Sequence, residues 1–542
     1  MDWLWKSLRK KISMRNQGEE NQGQSAQVAF DTRKLSLQSD LKTNIQQVKQ
    51  MLGNSPDIVV REFEICTNPR ILVAALYTDG LADKNKVSDF VMRSLMIDTA
   101  ETVSKSTVTD QNAFHFIKDN ALAIGEVTVI SDWNVLILSI LSGDTVILMD
   151  GLAEGISFST RGGETRAITE GTTQVVIRGP KDSFSESIGT NISLVRRRIK
   201  SPNLWLENMK IGNVTQTDVA IMYIKGIVTD SIVEELKQRL HAIEIDSILE
   251  SCNIEELIQD QTFTPFPTIY NTERPDVVAG NLLEGRIAIY VDGTPFVLIV
   301  PTIFAQYFQS AEDYYHRFDI GIFIRLIRYI GFFISLLGPS IYVAAITFHQ
   351  EMIPTTLLNS LAAQREGIPF PAFVEAWLME GSFEVLREAG VRMPRAVGQA
   401  VSIVGALVLG QAAVQAGIVS AAMVIVVSIT GIASFSTPSF DFAMSVRLMR
   451  FLLMILAASF GIYGITLGMF VIITHLCSLR SFGIPYMAPF APFIAADQKD
   501  AMLRFPLWAQ LTRPRLLNQN KVARKGRDVK LSLEKKQGSG EK

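Results

Sequence analysis

Two patterns of apolar residues divide the chain. Up to about residue 292, short β-branched runs such as DIVVREFEI and ILVAALYTDG alternate with helical patterns such as LSLQSDLKTNIQQVKQML. This alternation predicts mixed α/β packing. The same alternation of strand and helix patterns begins again near TTQVVIRGP. We therefore predict two α/β subdomains, at 41–165 and 166–292. The polar residues before them predict a disordered leader over 1–40, whose basic start MDWLWKSLRKKISM suits an interfacial anchor or a frayed terminus equally well.

Beyond residue 292, formal charges vanish for long runs. Residues 329–348 form a run of twenty without one, long enough to cross about 30 Å of hydrocarbon. The same reasoning predicts spans at 396–414, 418–434 and 449–477, which gives an α-helical membrane domain over 293–495. The run FVLIVPTIFAQYF is short, follows Pro295 and contains Pro301. It predicts a re-entrant or interfacial segment rather than a fifth span.

The charges that flank these spans predict their orientation. Arg317, Arg325 and Arg328 stand close to the first span, and residues 496–542 carry twelve Lys or Arg against five Asp or Glu. Positive residues favour the cytoplasmic side. We therefore expect both chain termini and the basic tail at 496–542 in the cytoplasm, which requires an even number of crossings.

The composition is typical of a membrane protein, and the sequence contains few signatures of an enzyme. Of 542 residues, 48% are hydrophobic and 20% charged, and the mean hydropathy is +0.21. The three cysteines (Cys66, Cys252 and Cys477) are far apart, so they predict neither a disulfide framework nor a zinc site. Metalloprotease, phosphate-loop and dinucleotide-binding motifs are absent from the sequence. We expect no enzymatic activity, no cofactor and no nucleic-acid partner.

The predicted second span has two contrasting faces at 100° per residue. One face carries small residues at four-residue spacing, which lets membrane helices approach closely: Gly398, Ser402, Ala406 and Gly410. The other carries Val404, Val408, Gln411 and Gln415. If this second face lines a wet lumen, the amides are solvated and the valines form an apolar gate. Alternatively, the amides bond to adjacent helices within a monomeric bundle.

Two further groups of residues are candidates for function. Glu380, Glu384 and Glu388 repeat every four residues and share one helical face. In a symmetric assembly they would form carboxylate rings that concentrate cations, whereas on an ordinary solvated face they would pair with Arg387, Arg392 and Arg395.

The second group lies in the polar stretch at 265–286, directly before the apolar third of the chain. Prolines fix φ and restrict the preceding residue, and the charged side chains can bind one another or the subdomain. We interpret the stretch as a rigid coupling elbow, or alternatively as an ordinary interdomain connection. Its residues are Pro265, Pro267, Glu273, Arg274, Pro275, Asp276, Glu284 and Arg286.

Several long blocks resemble the A subunit of the GerA family of spore germinant receptors. They include PFPTIYNTERPD, EGRIAIYVDGTPFVLIVP, LGPSIYVAAITFHQEMIPTTLL, REGIPFPAFVEAWLMEGSFEVLREAGVRMP and VGQAVSIVGALVLGQAAVQAGIVS. The upstream block IRGPKDSFSESIGTNISLVRRRIKSPNL resembles the cytoplasmic part of the same family. The resemblance runs in order over residues 45–495 and leaves out the leader and the basic tail.

The resemblance implies a function and partners. Members of this family sit in the inner membrane of dormant spores beside a transporter-like B subunit that binds the nutrient and a lipoprotein C subunit. It implies a pentameric homo-oligomer in membrane lipid whose pore releases monovalent cations, and a two-subdomain module distantly like solute-binding proteins. Two other roles stay open: a scaffold that relays a signal without conducting, and a small-solute transporter.

Overall fold

The computed structural model describes residues 36–65, 71–88, 114, 127–162, 171, 174, 176–393, 410–510 and 512–517. Its first subdomain contains α1 (Leu41–Met51), β1 (Ile58–Ile65), β2 (Ile71–Thr78), β3 (Val127–Ile130), α2 (Trp133–Ser142), β4 (Thr145–Met149) and β5 (Gly155–Phe158). The strands pair antiparallel in the order β1-β2-β4-β5-β3. Strands β2 and β4 are buried along almost their whole length because helices and loops cover both faces.

The second subdomain repeats this plan. It contains α3 (Ile188–Arg198), β6 (Leu204–Ile211), β7 (Thr217–Ile224), α4 (Asp230–His241), α5 (Ser251–Ile258), β8 (Tyr270–Thr272), α6 (Pro275–Leu283), β9 (Ile287–Val291) and β10 (Val297–Val300). Its strand order, β6-β7-β9-β10-β8, matches that of the first sheet strand for strand. The repeated pattern of apolar runs therefore reflects two subdomains with the same sheet topology.

The segment predicted as re-entrant or interfacial belongs to this second sheet, so that prediction is wrong. Strand β10 pairs with β8 and β9 and is fully buried. The following 3-10 helix, Phe304–Phe308, packs into the same core. A strand buried on both faces is a continuous apolar run, which hydropathy cannot tell from a short membrane segment. The second subdomain consequently extends beyond residue 292.

Helices dominate the rest of the described chain. In order they are α7 (Glu312–Tyr315), α8 (Phe318–Thr347), α9 (Thr355–Arg365), α10 (Ala372–Arg392), α11 (Gly410–Gln415), α12 (Ala421–Ser434), α13 (Phe440–Ser478) and α14 (Gln498–Ala501), with a small hairpin of Arg480–Ser481 and Ile484–Pro485 between the last two. Among the described helices, α8 and α13 are long and apolar enough to cross a membrane. Both α12 and α13 pack along α8.

Helix α13 reverses direction at Gly461, whose φ of 60° and ψ of −141° are not helical. Phe442 and His475, at opposite ends of α13, both place their rings 6.3 Å from the ring of Phe266. A straight helix would separate these two residues by about 50 Å. The two limbs of α13 therefore lie antiparallel, with the turn at the far end from the α/β subdomains.

Small residues allow the two limbs to meet. A Cβ at Gly464 would lie 2.2 Å from the carbonyl oxygen of Leu456, and one at Gly468 would lie 2.6 Å from Leu453 Cδ2. Gly464 and Gly468 thus bring the second limb of α13 into close contact with the first.

The four predicted spans are not confirmed as such. Helix α8 contains the first one, but 396–409 lies outside the described residues and α12 has only 14 residues. The last one, 449–477, contains the reversal at Gly461 and is not a single straight crossing. Hydropathy does not identify the turn because both limbs are apolar and no charged residue stands near Gly461.

The start of the predicted basic tail is folded. Leu517 is buried in the core of the second subdomain, and its carbonyl accepts a hydrogen bond from Thr229 Oγ1 at 3.1 Å. Arg513 Nε donates to the carbonyl of Leu283 at 2.8 Å. Residues 498–510 and 512–517 thus return from α13 to the α/β subdomains, whereas 518–542 lie outside the described residues.

Candidate functional site

The elbow is fixed to the second subdomain by buried polar contacts. Arg274, 4% exposed, forms an ion pair with Asp276 at 2.6 Å and donates to the carbonyls of Gln174 and Pro180 at 3.3 and 3.1 Å. Pro275 opens α6 directly after this arginine, where a missing N–H costs nothing. The Glu273 carbonyl accepts from Phe184 N at 2.8 Å. These contacts hold the backbone on both sides of Pro275 against Gln174, Pro180 and Phe184.

The other end of the elbow contacts α13. The carbonyl of Pro265 accepts a hydrogen bond from Ser445 Oγ. Asn271 Nδ2 donates to Asp441 Oδ2 at 2.6 Å, and Thr264 Oγ1 lies 3.0 Å from His475 Nε2. The Pro267 carbonyl accepts from Tyr307 Oη at 2.8 Å. The stretch between the two regions of the chain therefore touches both limbs of the α13 hairpin.

Two further elbow residues, Glu284 and Arg286, lie apart from this contact. Arg286 is 1% exposed, and its Nη2 is 3.7 Å from Glu284 Oε2. Its Nε and Nη1 have no hydrogen-bond partner among the described residues. Burial lowers the pKa of the Arg286 guanidinium, since desolvation disfavours the charged form.

A second polar cluster lies among the packed helices α8, α10, α12 and α13, here called the helical layer. Glu380 on α10 and Arg450 on α13 form an ion pair at 2.8 Å, and neither side chain has any exposed surface. Glu384, one turn further, lies 3.1 Å from Arg450 and 3.0 Å from Arg447. Arg450 is ten residues into the first limb of α13, about 15 Å from its start. Ionisable groups inside a membrane are costly and are typical of functional sites, so this cluster would be a candidate site if α13 crosses a membrane.

These pairs change the interpretation of the three glutamates. Glu380 is buried, Glu384 is shared by three arginines, including Arg387 at 3.7 Å, and Glu388 pairs with Arg392 at 2.6 Å. Within one chain they therefore do not form a stripe of unpaired negative charge. A cation-concentrating ring of these carboxylates stays a prediction for an assembled form.

A third cluster joins α8 to the folded C-terminal segment. Arg325 and Arg328 contact Asp313 at 3.1 and 2.7 Å, and Arg325 also contacts Asp500 at 3.3 Å. Both arginines are buried, so they act as structural ion-pair partners and are not free flanking charges. Burial raises the pKa of the Asp500 carboxyl to about 6.

The glutamine face is described only at its end. Gln411 and Gln415 lie on α11 and are exposed, whereas Gly410 is buried. A Cβ at Gly410 would lie 3.7 Å from Val424 Cγ1 on α12. Five residues of the predicted two-faced helix fall outside the described residues: Gly398, Ser402, Val404, Ala406 and Val408.

Sequence reasoning missed the two arginines of α13. Arg447 and Arg450 stand three residues apart at the start of a long apolar run, and the prediction of a span at 449–477 assigns no role to either of them. Two charges on one face of a membrane helix are themselves a signal for buried partners. Their partners on α10 are more than sixty residues away in sequence, so only the fold identifies them.

Comparisons with known proteins agree on one family. The family model described as Bacillus/Clostridium GerA spore germination protein matches residues 46–516. Spore germination protein KA of Bacillus subtilis is 53% identical over 92% of this chain and 90% of its own length. Spore germination protein GerLA of Bacillus cereus is 38% identical over 89% and 96%.

A crystal structure is also similar in sequence. It is the N-terminal domain of the A subunit of the Bacillus megaterium spore germinant receptor GerK3, 48% identical, covering 50% of this chain and 98% of that one with a TM-score of 0.41. The family model and the full-length relatives together cover both α/β subdomains, the elbow and the helical layer. The chain belongs to the GerA family of spore germination proteins.

Proposed function

We propose that this chain is the A subunit of a nutrient-gated germinant receptor in the spore inner membrane. In this proposal several copies, five by family resemblance, surround a pore for monovalent cations. A transporter-like B subunit binds the nutrient, and a lipoprotein C subunit completes the receptor. Nutrient binding stabilises the open arrangement through contacts that differ between the two states.

The observation that supports a pore is the position of the α11 amides. Gln411 and Gln415 are exposed, while Gly410 is buried and faces α12. A primary amide in contact with hydrocarbon is unsatisfied and costs about 2 kcal/mol or more, whereas one in a wet lumen is solvated. The exposed amides therefore favour water beside this helix in the assembly, with Val404 and Val408 as its apolar gate.

The elbow fits a coupling role in the same proposal. Its residues contact the second subdomain through Arg274 and the α13 hairpin through Asn271 and the Pro265 carbonyl. A stretch held at both ends can transmit a displacement of the subdomain to the helices. A flexible linker would absorb that displacement.

Cation flux from proteoliposomes tests the pore. The receptor is reconstituted with potassium inside, and flux is followed after nutrient addition. Replacing both Gln411 and Gln415 by leucine should reduce flux at least tenfold, while Val408→Ala should cause leak without nutrient. Gln364→Leu, at an exposed glutamine on α9, is the matched control and should conduct normally. Unchanged flux in the double variant, or a purified chain that remains monomeric, would refute the pore.

A relay subunit without a pore is the second candidate. It is favoured by the pairing of Glu380 and Glu384 with arginines of the same chain, which leaves little free negative charge to attract cations. Under this candidate the purified A subunit would carry no cations by itself, and the double glutamine variant would conduct normally when the B and C subunits are present.

A further inference from the structure

A cavity of about 260 Å³ lies between the elbow and the start of α8. Helix α6 forms one wall and residues 306–315 the opposite wall, with Leu507 of the C-terminal segment at its edge. Gly280 on α6 borders it, and a Cβ at that position would meet no atom within 4 Å. The face of α6 that carries Gly280 is therefore open to the cavity, whereas its other face packs against the sheet of the second subdomain.

The described lining of this cavity combines two carboxylates, aromatic rings and neutral polar side chains. Asp276 and Glu284 contribute carboxylates, Tyr270 and Tyr315 contribute aromatic walls, and none of the described lining residues is Lys or Arg. Asp276 is already engaged, because Arg274 lies 2.6 Å away and Tyr315 Oη donates to it at 2.6 Å. The free acceptor capacity thus rests with Glu284, whose ion-pair contact with Arg286 is long at 3.7 Å.

A buried side chain with an unused acceptor gives an independent indication of a ligand. Gln306 is 4% exposed, borders the cavity and donates through Nε2 to Asn281 Oδ1 at 3.1 Å. Its Oε1 has no partner within the described part of the chain. A buried unsatisfied carbonyl costs about 1–3 kcal/mol, so such oxygens are normally paired with a donor.

We propose that this cavity binds a small organic cation, a primary ammonium on a short apolar chain. The ammonium donates to Glu284 and to Gln306 Oε1, and the apolar chain lies against Tyr270 and Tyr315. A free amino acid fits poorly, because its carboxylate would meet two carboxylates and no cationic lining residue. The site is formed in part by the elbow residues Asp276 and Glu284, and it does not depend on the pore proposed above.

Ligand-observed NMR titration of the full-length chain in detergent tests the site. The probe is n-butylammonium, and 1-butanol is its uncharged counterpart. Butylammonium should bind at least tenfold more tightly than butanol. Glu284→Gln should weaken butylammonium binding about tenfold, as expected for one lost charge-assisted contact. Gly280→Leu should fill the space and abolish the binding.

Gly189→Leu is the matched control. Gly189 also lies on a helix, at an exposed position where a Cβ meets no atom within 4 Å, but it borders a different cavity. This variant should bind butylammonium normally. Equal binding of butanol and butylammonium, or normal binding in both Gly280→Leu and Glu284→Gln, would overturn the proposal. Because the titration requires no ion flux, its outcome is separate from that of the pore experiment.

Discussion

Removal of the Glu380 charge is expected to destabilise the helical layer. In Glu380→Gln the buried Arg450 guanidinium loses its partner at 2.8 Å but keeps Glu384 at 3.1 Å. Breaking a buried ion pair lowers the free energy of unfolding by about 3–5 kcal/mol. Because Glu384 still contacts Arg450, we expect Glu380→Gln to lower it by about 3 kcal/mol. Arg450→Met should cost about 5 kcal/mol, because it leaves Glu380 buried without its arginine.

Replacement of both residues should cost less than the sum of the single changes. In the double variant Glu380→Gln/Arg450→Met no buried charge is stranded, since Glu384 keeps Arg447 at 3.0 Å. We expect an interaction free energy of about 3 kcal/mol between the two positions. The matched control is Glu388→Gln, which removes an exposed pair with Arg392 and should change stability by about 0.5 kcal/mol or less.

Thermal unfolding of the purified chain in detergent, followed by tryptophan fluorescence, measures these changes. For a cooperative unit of about 200 residues, 3 kcal/mol corresponds to a loss of about 6–12 °C in Tm. Additive losses in the double variant would show that the two side chains do not interact. A Glu380→Gln variant as stable as the Glu388→Gln control would show that Glu380 is not buried in this environment.

Three other changes have defined outcomes. Arg274→Ala should leave assembly intact but slow nutrient-triggered cation release, measured in reconstituted receptors; release at the normal rate would contradict the coupling role of the elbow. Burial and the nearby Asp441 raise the pKa of Glu255 from 4.5 to about 8, so its charged form opposes folding and stability falls as pH rises from 4.5 to 8. Glu255→Gln should flatten that part of the pH profile in unfolding experiments, whereas the exposed neighbour Glu256→Gln should not. Gly461→Ala should cost more than about 2 kcal/mol by thermal unfolding, because φ is 60° and the new Cβ would lie 2.7 Å from His349 Cε1.

The α/β subdomains were largely predictable because their signals are local. Short β-branched runs between helical patterns indicated the strands, and their recurrence reflects the shared strand order of the two sheets. Strand β10 was misassigned because all four of its residues are buried. So short an apolar run does not distinguish a strand in a protein core from a segment in lipid.

The helical layer was less predictable because its determinants are non-local. The reversal at Gly461 depends on one backbone angle and on contacts of Gly464 and Gly468 with the first limb. Likewise, the charge of Arg450 is compatible with an apolar helix only because Glu380 lies opposite. For the elbow, the sequence predicts that its charged residues pair, and Arg274 does pair with Asp276. The hydrogen bonds from Arg274 to the carbonyls of Gln174 and Pro180 could not be predicted, because those residues are about 100 positions away in sequence.

The elbow and the buried ion pairs are linked through one helix limb. Asp441 and Ser445 contact the elbow, and Arg450 lies little more than one turn further along the same limb. A helix transmits a tilt along its length, so a displaced elbow changes the geometry of the Glu380 pair. We therefore expect Arg274→Ala and Glu380→Gln to act non-additively on nutrient-triggered cation release, with the double variant close to the slower single variant. Rates that multiply independently would show that the elbow and the ion pair act separately.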